Sequence, residues 1–385
     1  MTRHILVAPD KFKGSLTATD AARAITRGLL RFDASIRTIE CPIADGGEGT
    51  LSAAVAAGFV RIPVDAPGPT GRTVSTAYAR RGTTAVVEMA DVVGLQRLPG
   101  GTRQPMTASS RGLGHVIAHA LDDGCRHIVL GIGGSASTDG GAGFLQALGA
   151  KLLDEHGRPL GDGGRALLDA CALDVSALHS GLQQATVVIA CDVDNPLCGP
   201  GGAAAVYGTQ KGANSTQVEE LDAALEHWAA LVDTVTETNA RGIPGAGAAG
   251  GVGFAAMAVL GAELRSGIDL ILDMVGLDRH LHEAAAIITG EGSLDRQSLH
   301  GKAPVGARLR ASAHGVPAYA IVGVSTLSRE EEAAAQFAAI YSLHDREPDL
   351  ARSIAGAGNL LTAIAQDLAA EHFATSADRS CAAYD

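Results

Sequence analysis

The chain has 385 residues, of which 46% are hydrophobic and only 3% aromatic, and its formal net charge is −12. This length exceeds that of a usual single hydrophobic core, so two domains built mainly from aliphatic side chains are expected. The negative charge argues against nucleic acid and anionic membranes as partners, although local lysines and backbone N–H groups can still bind an anionic substrate.

The cysteines and the first residues of the chain indicate the cellular compartment. The six cysteines show neither CxxC nor zinc-site spacing, and the opening MTRHILVAPD is typical of a strand rather than a signal sequence. We therefore expect reduced thiols in a cytoplasmic protein. A metal role for Cys191 and Cys198, which flank an acidic loop, is the less favoured alternative. The longest apolar stretch, residues 252–262, is too short and glycine-rich to span a bilayer.

The first part of the chain alternates strands and helices. The apolar pattern predicts a strand at 5–8, a helix at 18–30, a strand at 36–41 and a helix that ends at 57. Such a βαβα pattern implies parallel strands with right-handed crossovers. Three further strands, at 60–64, 72–79 and 85–89, are joined by Pro/Gly turns, which is typical of antiparallel pairing.

The rest of the chain returns to alternation. The predicted elements are a helix at 112–123, strands at 126–130 and 186–190, a helix at 216–238, a strand at 284–288, a helix at 302–314, strands at 318–322 and 337–341, and a helix at 353–373. Both chain ends thus predict one open, largely parallel α/β sheet domain, Rossmann-like or flavodoxin-like. We place it at residues 1–65 plus 283–385, with a second α/β domain inserted at 66–282.

The polar motifs follow predicted strand ends. Ligands of open α/β sheets bind beyond the carboxyl ends of the strands, so we expect one active site in the interdomain cleft. The segment TGEGSLDRQSLHGKAP, residues 289–304, carries Glu291, Asp295 and Lys302. Carboxylates hold a divalent cation or accept a proton, and a lysine neutralises phosphate charge. Taken alone, the segment is better explained as a polar strand-to-helix loop.

A second motif, GIGGSASTDGGAG at 131–143, leads from a strand into a helix that starts near Phe144. Free N–H groups at such a start form an anion site. DGGEG at 45–49 echoes DGGAG at 139–143, and each is predicted to open a helix.

Three more motifs carry candidate ligands. APDKFKGSL at 8–16 brings Asp10, Lys13 and Ser15, although Ser15 is also a suitable helix cap. CDVDNPLCGP at 191–200 presents Asp192, Asp194 and Asn195, which suit Mg²⁺, with turn capping as the alternative. YGTQKGA brings Lys211, for which a solvated surface position is the default.

GAGAAGG at 245–251 matches GxGxxG, but Pro244 rather than a strand precedes it. It is the only support for a nicotinamide-dependent oxidoreductase acting on a hydroxy acid. The chain contains no P-loop GxxxxGK[ST], no GxSxG and no HExxH motif.

Taken in order, APDKFKGSL, ADGGEGT, GIGGSASTDGGAG, CDVDNPLCGP, YGTQKGA, GAGAAGGVG and TGEGSLDRQSLHGKAP closely resemble the motifs of the bacterial-type glycerate kinase family, from Ile5 to about Leu361. The resemblance implies ATP- and Mg²⁺-dependent phosphorylation of D-glycerate, usually to 2-phosphoglycerate, by two α/β domains around a cleft. It leaves the oligomeric state open.

The role expected for each residue follows from the chemistry of its side chain or backbone. We expect a nucleotide-phosphate site at Gly133, Gly134, Ser135, Thr138 and Asp139, and substrate contacts from Asp10, Lys13, Ser15, Asp45, Glu48 and Lys211. Catalytic roles are expected for Asp192, Asp295 and Lys302, and Mg²⁺ ligation for Asp192, Glu291 and Asp295. A non-enzymatic sensor of a phosphorylated metabolite is the third interpretation, but a phosphate binder gains nothing from nearby carboxylates.

Overall fold

The computed structural model describes residues 4–299 and 301–374. Its strands are β1 (His4–Pro9), β2 (Thr38–Glu40), β3 (Val60–Pro67), β4 (Thr73–Arg81), β5 (Thr84–Glu88), β6 (His127–Gly131), β7 (Lys151–Leu153), β8 (Ala172–Asp174), β9 (Thr186–Ala190), β10 (Glu263–Arg265), β11 (Ala284–Gly290), β12 (Ser293–Leu294), β13 (Ala318–Val322), β14 (Val324–Ser325) and β15 (Ala339–Ser342).

The helices are α1 (Ala18–Phe32), α2 (Thr50–Ala56), α3 (Met89–Val93), α4 (Arg111–Asp122), α5 (Ala142–Ala147), α6 (Ala203–Tyr207), α7 (Ser215–Thr236), α8 (Val252–Leu260), α9 (Gly267–Val275), α10 (Leu277–Leu281), α11 (Arg296–Leu299), α12 (Ala303–Ala313), α13 (Arg329–Ala334) and α14 (Leu350–His372). This mixed α/β architecture, with largely parallel sheets, confirms the predicted fold class. None of the helices in the described ranges combines the length and apolarity that a bilayer-spanning helix needs.

The chain divides into two compact units. One contains the residues up to Asp45 and from Ile271 onward, and the other is Gly46–Leu270. These divisions differ from the predicted boundaries at 65 and 283. A division at residue 65 would cut β3, because every residue of that strand pairs with β4. The second division falls within α9, ahead of the predicted position.

The first unit contains a five-stranded sheet in the order β15-β13-β11-β1-β2, with all strands parallel. Every residue of β1 is buried, as expected for a parallel strand covered on both faces. Its apolar core combines these strands with α1 and α14, through residues that include Ile25, Leu29, Leu361 and Leu368. Helix α1 begins at the N-cap Thr17, whose side chain accepts a hydrogen bond from the N–H of Asp20.

The second unit contains a six-stranded sheet in the order β10-β9-β6-β5-β4-β3. The first four strands are parallel, whereas β4 pairs antiparallel with both β5 and β3, as the Pro/Gly turns predicted. The long helix α7 contributes the fully buried Trp228, whose Nε1 donates to the carbonyl of Gly140 at 2.9 Å. This bond fixes the loop between β6 and α5 to the core of the unit.

Five of the cysteines, at 41, 125, 171, 191 and 198, are free thiols, as expected. Cys381, the sixth, lies outside the described residues.

The contact between α1 and α14 depends on Gly28. A Cβ at this position would lie 2.2 Å from the carbonyl oxygen of Thr362 and 2.7 Å from the Cβ of Ala365. Thr362 also donates its hydroxyl to the carbonyl of Ala24, at 3.0 Å. The two helices therefore pack at a separation that only glycine permits.

We expect Gly28→Ala to lower the free energy of unfolding by about 1–3 kcal/mol, because the added methyl group overpacks this contact. Gly358→Ala is the matched control, since Gly358 also lies in a helix but a Cβ there meets nothing within 4 Å. This control should instead raise stability by about 0.5–1 kcal/mol, the usual gain from Gly to Ala in a helix. Urea unfolding measures both, and equal effects would contradict the packing argument.

Candidate active site

In the second unit, three neighbouring parallel strands end at the same level. Glu88 at the end of β5 is in register with Gly131 of β6, and Gly131 is in register with Ala190 of β9. The loops that leave these strands therefore start side by side at the carboxyl edge of the sheet, where ligands of α/β proteins bind. The motifs GIGGSASTDGGAG and CDVDNPLCGP both begin here.

The DGGEG loop packs backbone to backbone against the loop that follows β6. A Cβ at Gly131 would lie 2.7 Å from the carbonyl oxygen of Gly46, and a Cβ at Gly133 would lie 2.7 Å from the Cα of Gly47. No L side chain fits at either position without moving backbone. The glycines of the expected anion site are therefore also required for this close approach of the two backbones.

The loop of residues 131–143, called the phosphate loop below, leaves three consecutive amides unpaired. Among the hydrogen bonds of the described residues, none is donated by the backbone N–H of Gly133, Gly134 or Ser135. Gly134 is exposed and has φ +74°, a conformation that favours glycine. Successive free N–H groups around such a turn are the usual structure of a protein anion site.

Lys211 is almost completely buried, at 2% exposure, and is not the solvated lysine that the sequence favoured by default. Its Nζ donates to the hydroxyl of Ser135 at 2.9 Å and to the carbonyl of Ser137 at 2.5 Å. Burial lowers the pKa of this ammonium to about 8, against an opposing effect of the Asp139 charge. Lys211 therefore lies against the phosphate loop, inside the protein.

Asp139 is fully buried, and its carboxylate is already occupied within the loop. Its Oδ2 accepts from the N–H and hydroxyl of Ser110 at 2.7 and 2.8 Å, and its Oδ1 accepts from the N–H of Gly141 at 3.3 Å. Burial raises the pKa of the carboxyl, while these hydrogen bonds lower it. This side chain shapes the loop, so the predicted contact with nucleotide is not supported by its position.

Two hydroxyls on the same loop lack a partner. Ser137 and Thr138 are fully buried, and neither Oγ of Ser137 nor Oγ1 of Thr138 has a hydrogen-bond partner in the described part of the chain. Buried hydroxyls normally have a hydrogen-bond partner, so the hydrogen bonding of this loop is incomplete at these two residues. Thr138 was predicted to contact nucleotide, and Ser137 was not.

Glu88 is a buried carboxylate that the sequence analysis missed. Its Oε1 accepts from the N–H of Gly49 at 3.2 Å and its Oε2 from the N–H of Leu51 at 2.9 Å. Burial raises its pKa to about 7, opposed by these two hydrogen bonds. It fixes the turn by which the DGGEG loop enters α2. The signal was the single carboxylate at the end of an otherwise apolar strand, TAVVE.

The polar groups of CDVDNPLCGP mostly hold the loop itself. The Oδ1 of Asp192, an exposed residue, accepts from the N–H of Gly267 at the start of α9, at 2.8 Å. Asn195 accepts from the hydroxyl of Tyr207 at 2.6 Å and donates to the carbonyl of Gly201 at 2.8 Å. Neither side chain makes the local turn-capping bond of the alternative interpretation, and the Mg²⁺ role of Asp192 stays a prediction.

GAGAAGG does not form a strand–turn–helix dinucleotide site. A short 3-10 helix at Ala240–Gly242 precedes it, and the motif forms another at Ala248–Gly250. Its Gly250 carbonyl accepts from the N–H of Gly140, at 2.9 Å, so the motif supports the phosphate loop. The oxidoreductase interpretation thereby loses its only structural support, because close backbone packing explains the glycines.

In the first unit, Asp10 and Glu291 follow adjacent strand ends. The preceding residues, Pro9 of β1 and Gly290 of β11, are in register, and the N–H of Asp10 donates to the carbonyl of Gly290 at 2.8 Å. Both carboxylates are buried, at 4% and 8% exposure. Asp45, at the end of the segment that follows β2, contributes to the charge around both.

These two carboxyls titrate far from their ordinary range. Burial raises the pKa of Asp10 to about 7, with Asp45 adding to the rise and Lys11 opposing it. Burial also raises the pKa of Glu291 to about 7, opposed by a hydrogen bond from Ser298 and by the charge of Lys302. The Oε1 of Glu291 is buried without a hydrogen-bond partner in the described residues. An unpaired acceptor of this kind suits a cation or a donor hydroxyl.

Asp295 and Lys302 lie at helix starts. The Oδ1 of Asp295 accepts from the N–H of Ser298 at 3.1 Å, which caps the start of α11. Lys302 is the N-cap residue of α12, and its Nζ donates to the Oε1 of Gln297 at 3.2 Å. The contact that Asp295 makes here is therefore that of a helix-capping residue.

The remaining predicted substrate contacts differ in exposure. Lys13 and Glu48 are exposed. Ser15 does not cap α1, because Thr17 does, and its hydroxyl instead donates to the carbonyl of Ile354 in α14 at 2.9 Å. The helix-cap alternative for Ser15 is therefore wrong, whereas its contact with substrate stays a prediction.

The predicted metal ligands come from both units. Asp192 belongs to the second unit, whereas Glu291 and Asp295 belong to the first. Within residues 4–299 and 301–374, no group of three or more His, Cys, Asp or Glu is arranged to hold a metal ion. Mg²⁺ commonly takes only one or two protein carboxylates and completes its shell with water and substrate phosphates.

Comparison with known proteins agrees with the motif order. A model described as the glycerate kinase family matches residues 5–372. Glycerate 2-kinase of Escherichia coli (strain K12) is 43% identical over 326 residues, which are 84% of this chain and 85% of that protein. Glycerate kinase of Bacillus subtilis (strain 168) is 41% identical over 371 residues, covering 95% and 97%.

A crystal structure of a protein designated glycerate kinase 2 from Salmonella typhimurium LT2 matches with a TM-score of 0.83 and 38% identity, over 96% of this chain and 98% of that chain. Because the family model spans nearly the whole chain, and the relatives match in sequence and in fold, the chain belongs to the glycerate kinase family of phosphotransferases.

Proposed function

We propose that the protein transfers the γ-phosphoryl group of Mg-ATP to D-glycerate and forms 2-phospho-D-glycerate. The three consecutive unpaired amides of Gly133, Gly134 and Ser135 carry this proposal, because they supply donors where a triphosphate would need them. The name of the Escherichia coli relative, glycerate 2-kinase, supports the 2-phospho product. No observation favours a second function.

Phosphoryl transfer depends mostly on positioning and charge neutralisation. In the second unit, the amides of the phosphate loop would hold the β- and γ-phosphates. In the first unit, Lys302 and the exposed Lys13 offer cations for the glycerate carboxylate, which is the assignment we propose for them.

The carboxylates of the first unit fit a divalent cation or the hydroxyl proton of the substrate. The unpaired Oε1 of Glu291 is the best-fitting oxygen, because the Oδ1 of Asp295 already caps α11. Bound Mg²⁺ would neutralise charge on the phosphates. Asp10 follows the adjacent strand end, and burial raises its pKa to about 7, near the pH at which a general base works best.

We expect the purified protein to convert D-glycerate and Mg-ATP to ADP and 2-phosphoglycerate, identified by ³¹P and ¹³C NMR. L-Glycerate is the matched control substrate and should react much more slowly. Release of ADP that is no faster with D-glycerate than without it, with Mg²⁺ and with Mn²⁺, would contradict the proposal.

Gly134→Val should weaken ATP binding by at least about tenfold, because the side chain disfavours φ +74° and crowds the free amides. Gly82→Val is the matched control. Gly82 has φ +60°, and a Cβ there meets nothing within 4 Å, in the turn between β4 and β5. The control should lose stability and keep its nucleotide Kd. An unchanged Kd in folded Gly134→Val would exclude the amides from the phosphate site.

Glu291→Gln should lower kcat by about 10²–10⁴-fold, since it removes the charge and basicity of the unpaired carboxylate. Asp295→Asn is the matched variant, and because Asn caps helices as well as Asp, we expect a loss of less than about tenfold. If Glu291 binds Mg²⁺, added Mg²⁺ should recover part of the lost rate. The reverse order of effects, with Asp295→Asn the more damaged enzyme, would transfer the catalytic role to Asp295.

A further inference from the structure

Lys211 is a buried cation without a carboxylate partner. Its ammonium donates to two neutral oxygens of the phosphate loop, the Ser135 hydroxyl and the Ser137 carbonyl. The ion pairs of the described residues include none for Lys211, and the nearest influential charge, Asp139, is occupied by Ser110 and Gly141. An ammonium has three N–H donors, so one remains unused.

Such an arrangement costs folding free energy, because burial of an unpaired charge is unfavourable. The position is also tightly enclosed, since a Cβ at Gly250 would lie 3.0 Å from Nζ. The same loop contains the unpaired hydroxyls of Ser137 and Thr138. Positive charge and unpaired hydroxyls therefore lie on or against the loop that carries the three free amides, and a polyanion could bind all of them.

We infer that Lys211 is a positioning residue that holds the phosphate loop in shape and attracts the nucleotide triphosphate by its charge from beneath the loop, without touching glycerate. This inference rests on the proposed function of the loop. It replaces the expectation that Lys211 binds the substrate carboxylate, because a residue that is 2% exposed and whose ammonium is bonded to the phosphate loop does not reach a second ligand.

The inference predicts an effect graded by ligand charge. Calorimetric titration of Lys211→Met should show a Kd for ATP raised by at least about tenfold, the factor for one lost charged hydrogen bond, with a smaller rise for ADP and the smallest for AMP. The KM for D-glycerate should stay within about twofold of the wild-type value. Lys211→Gln retains hydrogen-bond donors but lacks charge, and should show the same grading.

Lys151→Met is the matched control, because Lys151 lies in the same unit but is exposed and contacts Asp174 at 3.7 Å. It should bind all three nucleotides normally. Equal weakening of ATP and AMP, a wild-type ATP Kd in Lys211→Gln, or a raised KM for glycerate with normal ATP binding would each overturn the inference. Wild-type protein that binds no nucleotide would instead show that the proposed function fails, and the inference with it.

A measurement on the unmodified protein covers the case in which neither variant folds. Burial lowers the pKa of Lys211 to about 8, and a bound anion should raise it again, with Asp139 the other charge near the ammonium. ATP binding slightly above this pH should therefore take up protons, seen as a binding enthalpy that differs between HEPES and Tris buffers, neither of which supplies a competing phosphate. Absence of uptake there would overturn the inference.

Discussion

The second unit depends on one constraint, the direct backbone contact between two glycine-rich loops at the carboxyl edge of its sheet. Gly131 and Gly133 approach Gly46 and Gly47 so closely that a Cβ would overlap backbone atoms. Glycine at these positions has a conformational cost, which the packed loops offset. The result is a loop that can keep the amides of Gly133–Ser135 unpaired while its flanks are fixed.

Buried carboxyl groups are a second feature of the structure. The raised pKa values of Asp10 and Glu291 mean that the folded state disfavours their ionised forms. Stability from their protonation is present at low pH and lost as pH rises toward about 7, where the folded groups ionise. Buried carboxyl groups of this kind do not stabilise a core at neutral pH, so their presence at strand ends agrees with a functional use.

The two echoed segments, DGGEG and DGGAG, solve the same local problem. Each contains a glycine N-cap with a left-handed conformation, which is Gly49, the last residue of DGGEG, before α2, and Gly141, the third residue of DGGAG, before α5. The supporting carboxylates differ, because Glu88 from a neighbouring strand holds the first turn whereas Asp139 within the motif holds the second. The two similar segments are therefore held by carboxylates from different parts of the chain.

Apart from β10, the strands of the two large sheets were predicted from the sequence, and so was the family. Strands such as Ala318–Val322 were predicted at their observed bounds, because buried parallel strands are short apolar runs bounded by turn residues, and the ordered motifs are specific. Other features could be seen only in the folded structure. Lys211 is buried, and Glu88 accepts hydrogen bonds that hold a turn. Ser15 donates to α14, and the chain divides into its two units within α9. These features depend on contacts between residues that are far apart in the sequence. The type and spacing of side chains along the chain do not reveal such contacts.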